Sequence, residues 1–241
     1  MFQAMIFAAG LGSRLKPLTL SQPKALVQVN GVSLLEHNIK KLIDYGCKHI
    51  IINIHHFPHL ILEHINKKHY KADIFISDET NMLLDTGKGL INAKHLFDFS
   101  KDILIHNVDI ISKIDFSQFY NYHKTSDALA TLAVSQRETS RYLLFNKDNQ
   151  LCGWQNTNTN DLIISREDND LTQFGFSGIQ LIKPELLDLI DNKEEAYPII
   201  PEYLKLATNH SILSFVHSKD IWVDVGKMEA IPIAEELLLR I

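Results

Sequence analysis

The 241-residue chain has only two cysteines, Cys47 and Cys152, far apart and without a C-x-x-C spacing. That argues against a disulfide framework or a thiolate zinc site and fits a reduced, cytoplasmic protein. A basic surplus is also missing: 24 Lys and Arg against 29 Asp and Glu give a formal net charge of −5. Nucleic-acid binders draw much of their affinity from neutralising phosphates, so a nucleic-acid partner is disfavoured. No apolar stretch reaches the roughly 18 residues of a membrane span, which argues against a membrane protein. The opening MFQAMIF has no basic segment ahead of its short apolar run and turns at once into glycines, so it reads as a first strand rather than a signal peptide. Long linkers, repeats and low-complexity blocks are absent too. With 45% hydrophobic residues, one domain over 1–241 is the economical reading.

What is present is an alternation of apolar runs and helix signals. Residues 5–8 form a short apolar run ended by Gly10 and Gly12. Ser33-Leu34-Leu35-Glu36 has the form of a capping box, and Gly46 supplies a left-handed stop, predicting a helix to about residue 45. A near-continuous apolar strand over 49–54 follows. Helices near 59–68 and 89–96, strands at 73–77 and 103–106, a helix over 116–124 opened by Asp115 and a strand at 128–134 continue the pattern. Strands separated by helices imply crossovers and a mostly parallel sheet, so the first half is α/β. After Ser135 the texture changes: 141–145 and 150–154 flank a turn and predict a hairpin, and 156–170 reads as an excursion loop. A strand over 174–182, a helix opened by Pro184, a strand over 212–216 and an amphipathic helix over 228–240 close the chain. The Leu237-Leu238-Leu239 run is core packing at helical period, with an exposed face able to support a homodimer; monomer and homodimer both stay open.

The most informative segment is Ala8-Ala9-Gly10-Leu11-Gly12-Ser13-Arg14-Leu15-Lys16-Pro17-Leu18-Thr19, followed by Pro23-Lys24. Gly10 and Gly12 let successive backbone N–H groups approach a polyanion. Arg14 adds a planar fork matched to phosphate oxygens, and Lys24 a compact point charge, a set that suits a triphosphate. A dinucleotide fingerprint fails because Leu15 replaces the third glycine and the next strand ends in His55-His56 rather than an acid. A Walker A loop fails at Gly87-Lys88, which is followed by Gly89 and preceded by Met82 in place of the first glycine. The plainer alternative, a glycine turn serving strand geometry alone, leaves Arg14 and Lys24 as surface charges. Among the twelve histidines, His55 and His59 stand four apart, but Pro58 between them speaks against a shared helical zinc face.

A strand running into A-A-G-x-G-x-R-L-x-P-L-T and then P-K resembles the signature of the sugar-1-phosphate nucleotidyltransferases, the nucleoside-diphosphate-sugar pyrophosphorylases. The resemblance extends to Leu84-Asp85-Thr86-Gly87, Asn107-Val108-Asp109, Phe176-Ser177-Gly178-Ile179 and Trp222-Val223-Asp224-Val225-Gly226. Within that family the chain looks most like the N-acetylmuramate-1-phosphate uridylyltransferases and the short mannose- or heptose-1-phosphate guanylyltransferases. It departs from the pattern at Val108, where glycine is usual and a side chain would narrow the approach to phosphate, at Lys88 in a loop usually all glycine, and at Gln28 in place of a proline.

The resemblance implies a Rossmann-like, three-layer αβα fold with a mostly parallel mixed sheet and a β-rich insertion in the second half. Residues 1–134 would be the nucleotide-binding half, and 135–241 the sugar-binding half with the C-terminal helix. It implies a Mg²⁺-dependent condensation of a nucleoside triphosphate with a sugar 1-phosphate, UTP with an N-acetylated hexose 1-phosphate being the leading pair. GTP with mannose or heptose 1-phosphate, CTP with phosphocholine, and a noncatalytic nucleotide-sugar sensor are the alternatives. Arg14 and Lys24 are then catalytic; Ala8, Ala9, Gly10, Gly12, Ser13, Thr86 and Gly87 bind nucleotide; Gly178, Asn156 and Arg141 face the sugar; Asp109 and Asp224 hold the metal. Both aspartates follow apolar runs, where α/β sheets present ligands, but at 115 positions apart they meet only through the fold. On spacing alone, each is as readily a turn former or helix cap.

Overall fold

The computed structural model describes residues 2–239. Its first strand, β1 (Gln3–Phe7), is buried at every position. The short ribbon β2 (Gln28–Val29) and β3 (Val32–Ser33) leads into α1 (Leu34–Asp44), and the Ser33 hydroxyl caps that helix by accepting from the Glu36 N–H. The reciprocal half of the capping box does not form, because the Glu36 carboxylate instead accepts from Tyr70 and pairs with Lys68. The alternation continues with β4 (His49–Ile54), α2 (Pro58–Asn66), β5 (Asp73–Asp78), α3 (Asp85–Asn92), β6 (Ile103–Asn107), β7 (Ile110–Ser112) and α4 (Phe116–Ser126). Asp115 caps α4 through the N–H groups of Ser117 and Gln118. The second half holds β8 (Ala130–Ser135), β9 (Arg141–Phe145), β10 (Leu151–Asn156), β11 (Asp161–Ile164) and the long β12 (Thr172–Ile182). It closes with α5 (Leu186–Leu189), α6 (Ile199–Leu206), β13 (Ile212–Val216), β14 (Trp222–Asp224) and α7 (Ala230–Leu239).

Among the described residues, one ten-stranded mixed sheet runs in the order β11-β10-β9-β12-β6-β1-β4-β5, with β8 paired to β12 and β13 to β8. Its first-half strands β6, β1, β4 and β5 are parallel, as the helical crossovers require. The antiparallel part enters through β12, which pairs with β6, β8 and β9. Side-chain alternation along β1 shows why its strands carry near-continuous apolar runs. Ala4 and Ile6 pack into a core with Leu34, Leu35, Ile39, Phe116 and Phe119 from α1 and α4. Met5 and Phe7 pack on the other face with Leu90, Leu186, Tyr203 and Leu204 from α3, α5 and α6. Helices thus cover both faces, giving three layers.

Several expectations are corrected. The helix expected over 89–96 begins at Asp85, so Thr86 and Gly87 lie in its first turn rather than in a loop. The excursion expected over 156–170 contains β11, and the helix opened by Pro184 is only the four residues of α5. Helix α7 starts at Ala230 rather than Met228, and Arg240 at its expected end lies outside the described residues. Among the described residues, no helix is long and apolar enough to cross a membrane.

Candidate active site

At the end of β1 the chain turns through Ala8 to Gly12. Gly12 sits at φ +63°, and a Cβ there would lie 2.9 Å from both Lys24 Cβ and Thr19 Cγ2, so only glycine lets the turn lie against the Lys24 stem. The Gly12 carbonyl accepts from Thr19 Oγ1 at 2.8 Å and from Leu15 N–H at 2.9 Å, which closes the loop on itself. Leu15, where a dinucleotide fingerprint would want glycine, is fully buried and anchors this loop in the core. Ser13 and Arg14 are left exposed.

The two distant aspartates meet here through a small second sheet. Strand β14 pairs antiparallel with β7, setting Asp224 opposite Ile110, and the Val225 N–H donates to the Asp109 carbonyl at 2.8 Å. Asp109, only 7% exposed, accepts a hydrogen bond from Lys24 Nζ on Oδ2 at 2.7 Å. Burial by itself would push the Asp109 carboxyl up, but the Lys24 ammonium outweighs it and holds the group below its ordinary value. Asp224 is pushed the other way, first by burial and then by the Asp109 charge, with Arg14 and Lys24 opposing. The Arg14 guanidinium comes down beside Asp224 over Gly226, whose added Cβ would lie 2.7 Å from Asp224 Oδ1 and 2.8 Å from Arg14 Nη2.

A pair of adjacent carboxylates, one of them held up by the other, is poised for a cation. Asp224 Oδ1 is buried without a hydrogen-bond partner, and the described residues contain no group of three or more His, Cys, Asp or Glu side chains able to hold a metal. Two carboxylates with an orphaned oxygen suit Mg²⁺, which takes few protein ligands and fills its octahedron with water and substrate phosphates. Val108, the departure beside Asp109, does not crowd this space: its side chain is fully buried in the core, and its carbonyl accepts from Asn38 Nδ2.

Next to this constellation opens a cavity of about 440 Å³, lined by Ala9, Gly10, Lys24, Asp109 and Thr86 together with Asn53, Glu79, Leu83 and Asp85. Asn53 and Glu79 were not legible as site residues. Asn53 Oδ1 accepts from the N–H groups of Ala8 (2.6 Å) and Ala9 (3.3 Å), while its Nδ2 donates to Glu79 Oε1 at 2.8 Å. Glu79 is 3% exposed; burial pushes its carboxyl up, and its Oε2 has no partner. The one available signal for Asn53 is its place as the lone amide in the apolar run of β4.

A profile of the nucleotidyl transferase family matches residues 3–240. The chain belongs to the nucleotidyl transferase family. Among curated members, it is 27% identical to the N-acetylmuramate alpha-1-phosphate uridylyltransferase of Caulobacter vibrioides, covering 98% of this chain and 96% of that protein. It is also 27% identical to the mannose-1-phosphate guanyltransferase of Yarrowia lipolytica, over 93% of this chain; it spans only 61% of that relative's length, and 60% of a Sulfolobus acidocaldarius relative's. Among solved structures, HddC from Yersinia pseudotuberculosis complexed with GMP-PN superposes with a TM-score of 0.77 at 20% identity, covering 99% and 100% of the two chains. The UDP-glucose pyrophosphorylase from Acinetobacter baumanii gives 0.76 at 16% identity, over 98% and 92%. These likenesses show the Rossmann-like fold of the nucleotidyl transferases.

Other residues expected in the site are placed as follows. The Gly87 N–H donates to the Tyr197 carbonyl, and a Cβ on Gly87 would lie 2.5 Å from Tyr197 Cδ2, so this glycine serves the packing of Tyr197 and stands behind the cavity wall. Thr86 Oγ1 accepts from the Ile199 N–H. Gly178, at φ +73°, sits against the Asn107 side chain at the level where β12 leaves β6. Arg141 and Asn156 face each other across β9 and β10, and among the described residues no hydrogen bond ties either side chain to the cavity.

Proposed function

We propose that the chain transfers a nucleotidyl group from a nucleoside triphosphate to a sugar 1-phosphate. UTP with an N-acetylated hexose 1-phosphate, such as N-acetylmuramate 1-phosphate, is the leading pair. The observation that carries this reading is the convergence of Arg14, Lys24, Asp109 and Asp224, with Lys24 and Asp109 lining a cavity of about 440 Å³. The near end-to-end match to the Caulobacter vibrioides uridylyltransferase supports the choice of pair. The product would be a precursor of cell-wall or surface polysaccharide, made in the cytoplasm.

The reaction needs positioning and charge stabilisation rather than a protein nucleophile. An oxygen of the sugar phosphate, already an anion, forms a bond to the α-phosphorus; the bond from that phosphorus to the β-phosphate oxygen breaks, and pyrophosphate leaves with the electron pair. Backbone N–H groups around Gly10, Gly12 and Ser13 cradle the triphosphate. Arg14 neutralises the departing pyrophosphate, and Lys24 the charge at the α-phosphate. Asp109 and Asp224 would hold Mg²⁺, which when bound supplies Lewis-acid neutralisation of the phosphate oxygens. Thr86 and Ala9 line the nucleoside side, and Glu79, on the same cavity wall, offers a carboxylate to a base N–H, a donor that uracil and guanine both carry. The guanyltransferase relatives favour a second reading, GTP with mannose or heptose 1-phosphate.

The test is a matrix of four nucleoside triphosphates against hexose, heptose and N-acetylated sugar 1-phosphates, with phosphocholine as a further acceptor. Mg²⁺ is present throughout and released pyrophosphate is read. A productive pair with UTP and an N-acetylated sugar is expected. Turnover of CTP with phosphocholine alone, or nucleotide-sugar binding without any turnover, would overturn the reading.

A further inference from the structure

Arg137 lies in the loop after β8, over the strand that carries Asp224, and the nucleotide-side chemistry leaves it unused. Its guanidinium lies 4.7 Å from the centre of the Trp222 ring, two residues before Asp224 on β14, and its Nη2 donates to the Phe176 carbonyl of β12 at 2.8 Å. Its Nε is buried and without a partner. Gly175 makes room for it, since a Cβ there would lie 2.8 Å from that Nε. The platform beneath is itself fixed: Trp222 Nε1 donates to the Ser177 carbonyl at 2.9 Å, and the Ser177 hydroxyl bonds His217 Nε2 at 2.7 Å. Burial lowers the guanidinium's pKa, and the Asp224 charge opposes it. A half-buried cation stacked on a fixed indole two residues before Asp224, with guanidinium N–H groups beyond the one given to Phe176, suits an anion.

Resting on the proposed function, we propose that Arg137 is the contact for the phosphate of the sugar 1-phosphate, holding the attacking oxygens on the β12 side of Asp224 while Arg14 and Lys24 hold the triphosphate on the other. The fork geometry suits two phosphate oxygens at once, which a lysine point charge does not reproduce.

The experiment compares wild type, R137Q and R137K. Steady-state turnover is measured with the productive pair from the matrix, and binding of inorganic phosphate is measured by equilibrium dialysis in Mg²⁺ with a non-hydrolysable nucleoside triphosphate analogue bound. Folding is checked by thermal melting. R137Q is expected to raise the KM for the sugar 1-phosphate roughly 10- to 100-fold, to leave the KM for the triphosphate within about twofold, and to lose the phosphate equivalent; R137K falls between. Equal rises in both KM values, unchanged phosphate binding, or a lowered melting temperature as the sole effect would overturn the proposal and make Arg137 a support for Trp222. If wild type turns over no pair while R137Q still loses the phosphate equivalent, Arg137 stands as the anion contact and the transferase reading fails.

Discussion

At the residue scale, the site is a balance of four charges. Lys24 Nζ, 2.7 Å away, holds the Asp109 carboxyl below its ordinary value, while burial and the Asp109 charge push Asp224 up. With its folded pKa raised, Asp224 imposes no penalty at low pH, where it is neutral folded and unfolded alike, and costs stability as the pH rises through the folded value. Asp224→Asn is therefore expected to raise the melting temperature of the metal-free protein at neutral pH. Added Mg²⁺ is expected to stabilise wild type and to leave the variant unmoved. An unchanged or lowered melting temperature would show that the two carboxylates do not repel. On the base side, Glu79→Gln exchanges an acceptor-only carboxylate for an amide and is expected to raise the KM for the triphosphate about tenfold, with the KM for the sugar 1-phosphate unchanged. Steady-state kinetics with each substrate varied in turn checks it.

At the element scale, the site depends on where strands end and helices begin. The strand β4, the Ser33 and Asp115 caps and the Gly46 stop were readable because local chemistry decides them: an apolar run between helices, a hydroxyl or carboxylate before a helix, a glycine after one. The start of α3 was not, because Gly87 and Gly89 carry poor helix propensity and are chosen by tertiary contact. Gly87 meets Tyr197, and Gly89 meets Glu79 Oε1, 2.7 Å from where a Cβ would be. Gly87→Ala is accordingly expected to cost about 1–3 kcal/mol by displacing Tyr197 and the Ala196 edge of the cavity, despite alanine's better helix propensity. Urea unfolding midpoints measure it, and a stabilised variant would show that propensity wins. The meeting of Asp109 with Asp224 was likewise beyond local reading, since it is made by β7 and β14, three residues each and too short to carry a pattern. Asn53, Glu79 and Arg137 stayed hidden for a related reason: each is a single polar residue whose meaning comes from a neighbour far away in the chain.

At the scale of the whole molecule, both sheet faces are sealed by helices, and that sealing has a pH consequence. His123 is fully buried, bonded through Nδ1 to Thr131 Oγ1, with its pKa pushed down to about 4 by burial; His106, 1% exposed, is pushed down to about 3 by burial and then by Lys41. Groups held neutral in the fold but free to protonate when unfolded stabilise the protein fully above pH 6.5, and that contribution is lost as the pH falls toward their folded values. Stability is expected to drop by about 1.4 kcal/mol per pH unit for each of the two below pH 6.5. Denaturant titrations from pH 7 to 4.5 check this, and a flat profile would contradict the burial of these rings. The same architecture puts the ends of β1 and β6 on the cavity wall, and the β7–β14 pair brings Asp224 to Asp109 beside it. The most direct test of the central claim is Mg²⁺-dependent pyrophosphate release by wild type, Asp109→Ala, Asp224→Ala and the exposed-loop variant Lys16→Ala, measured with the productive substrate pair. Loss of about 10²-fold or more in both aspartate variants, with Lys16→Ala close to wild type, is the expected result. Equal and small effects in all three would contradict it.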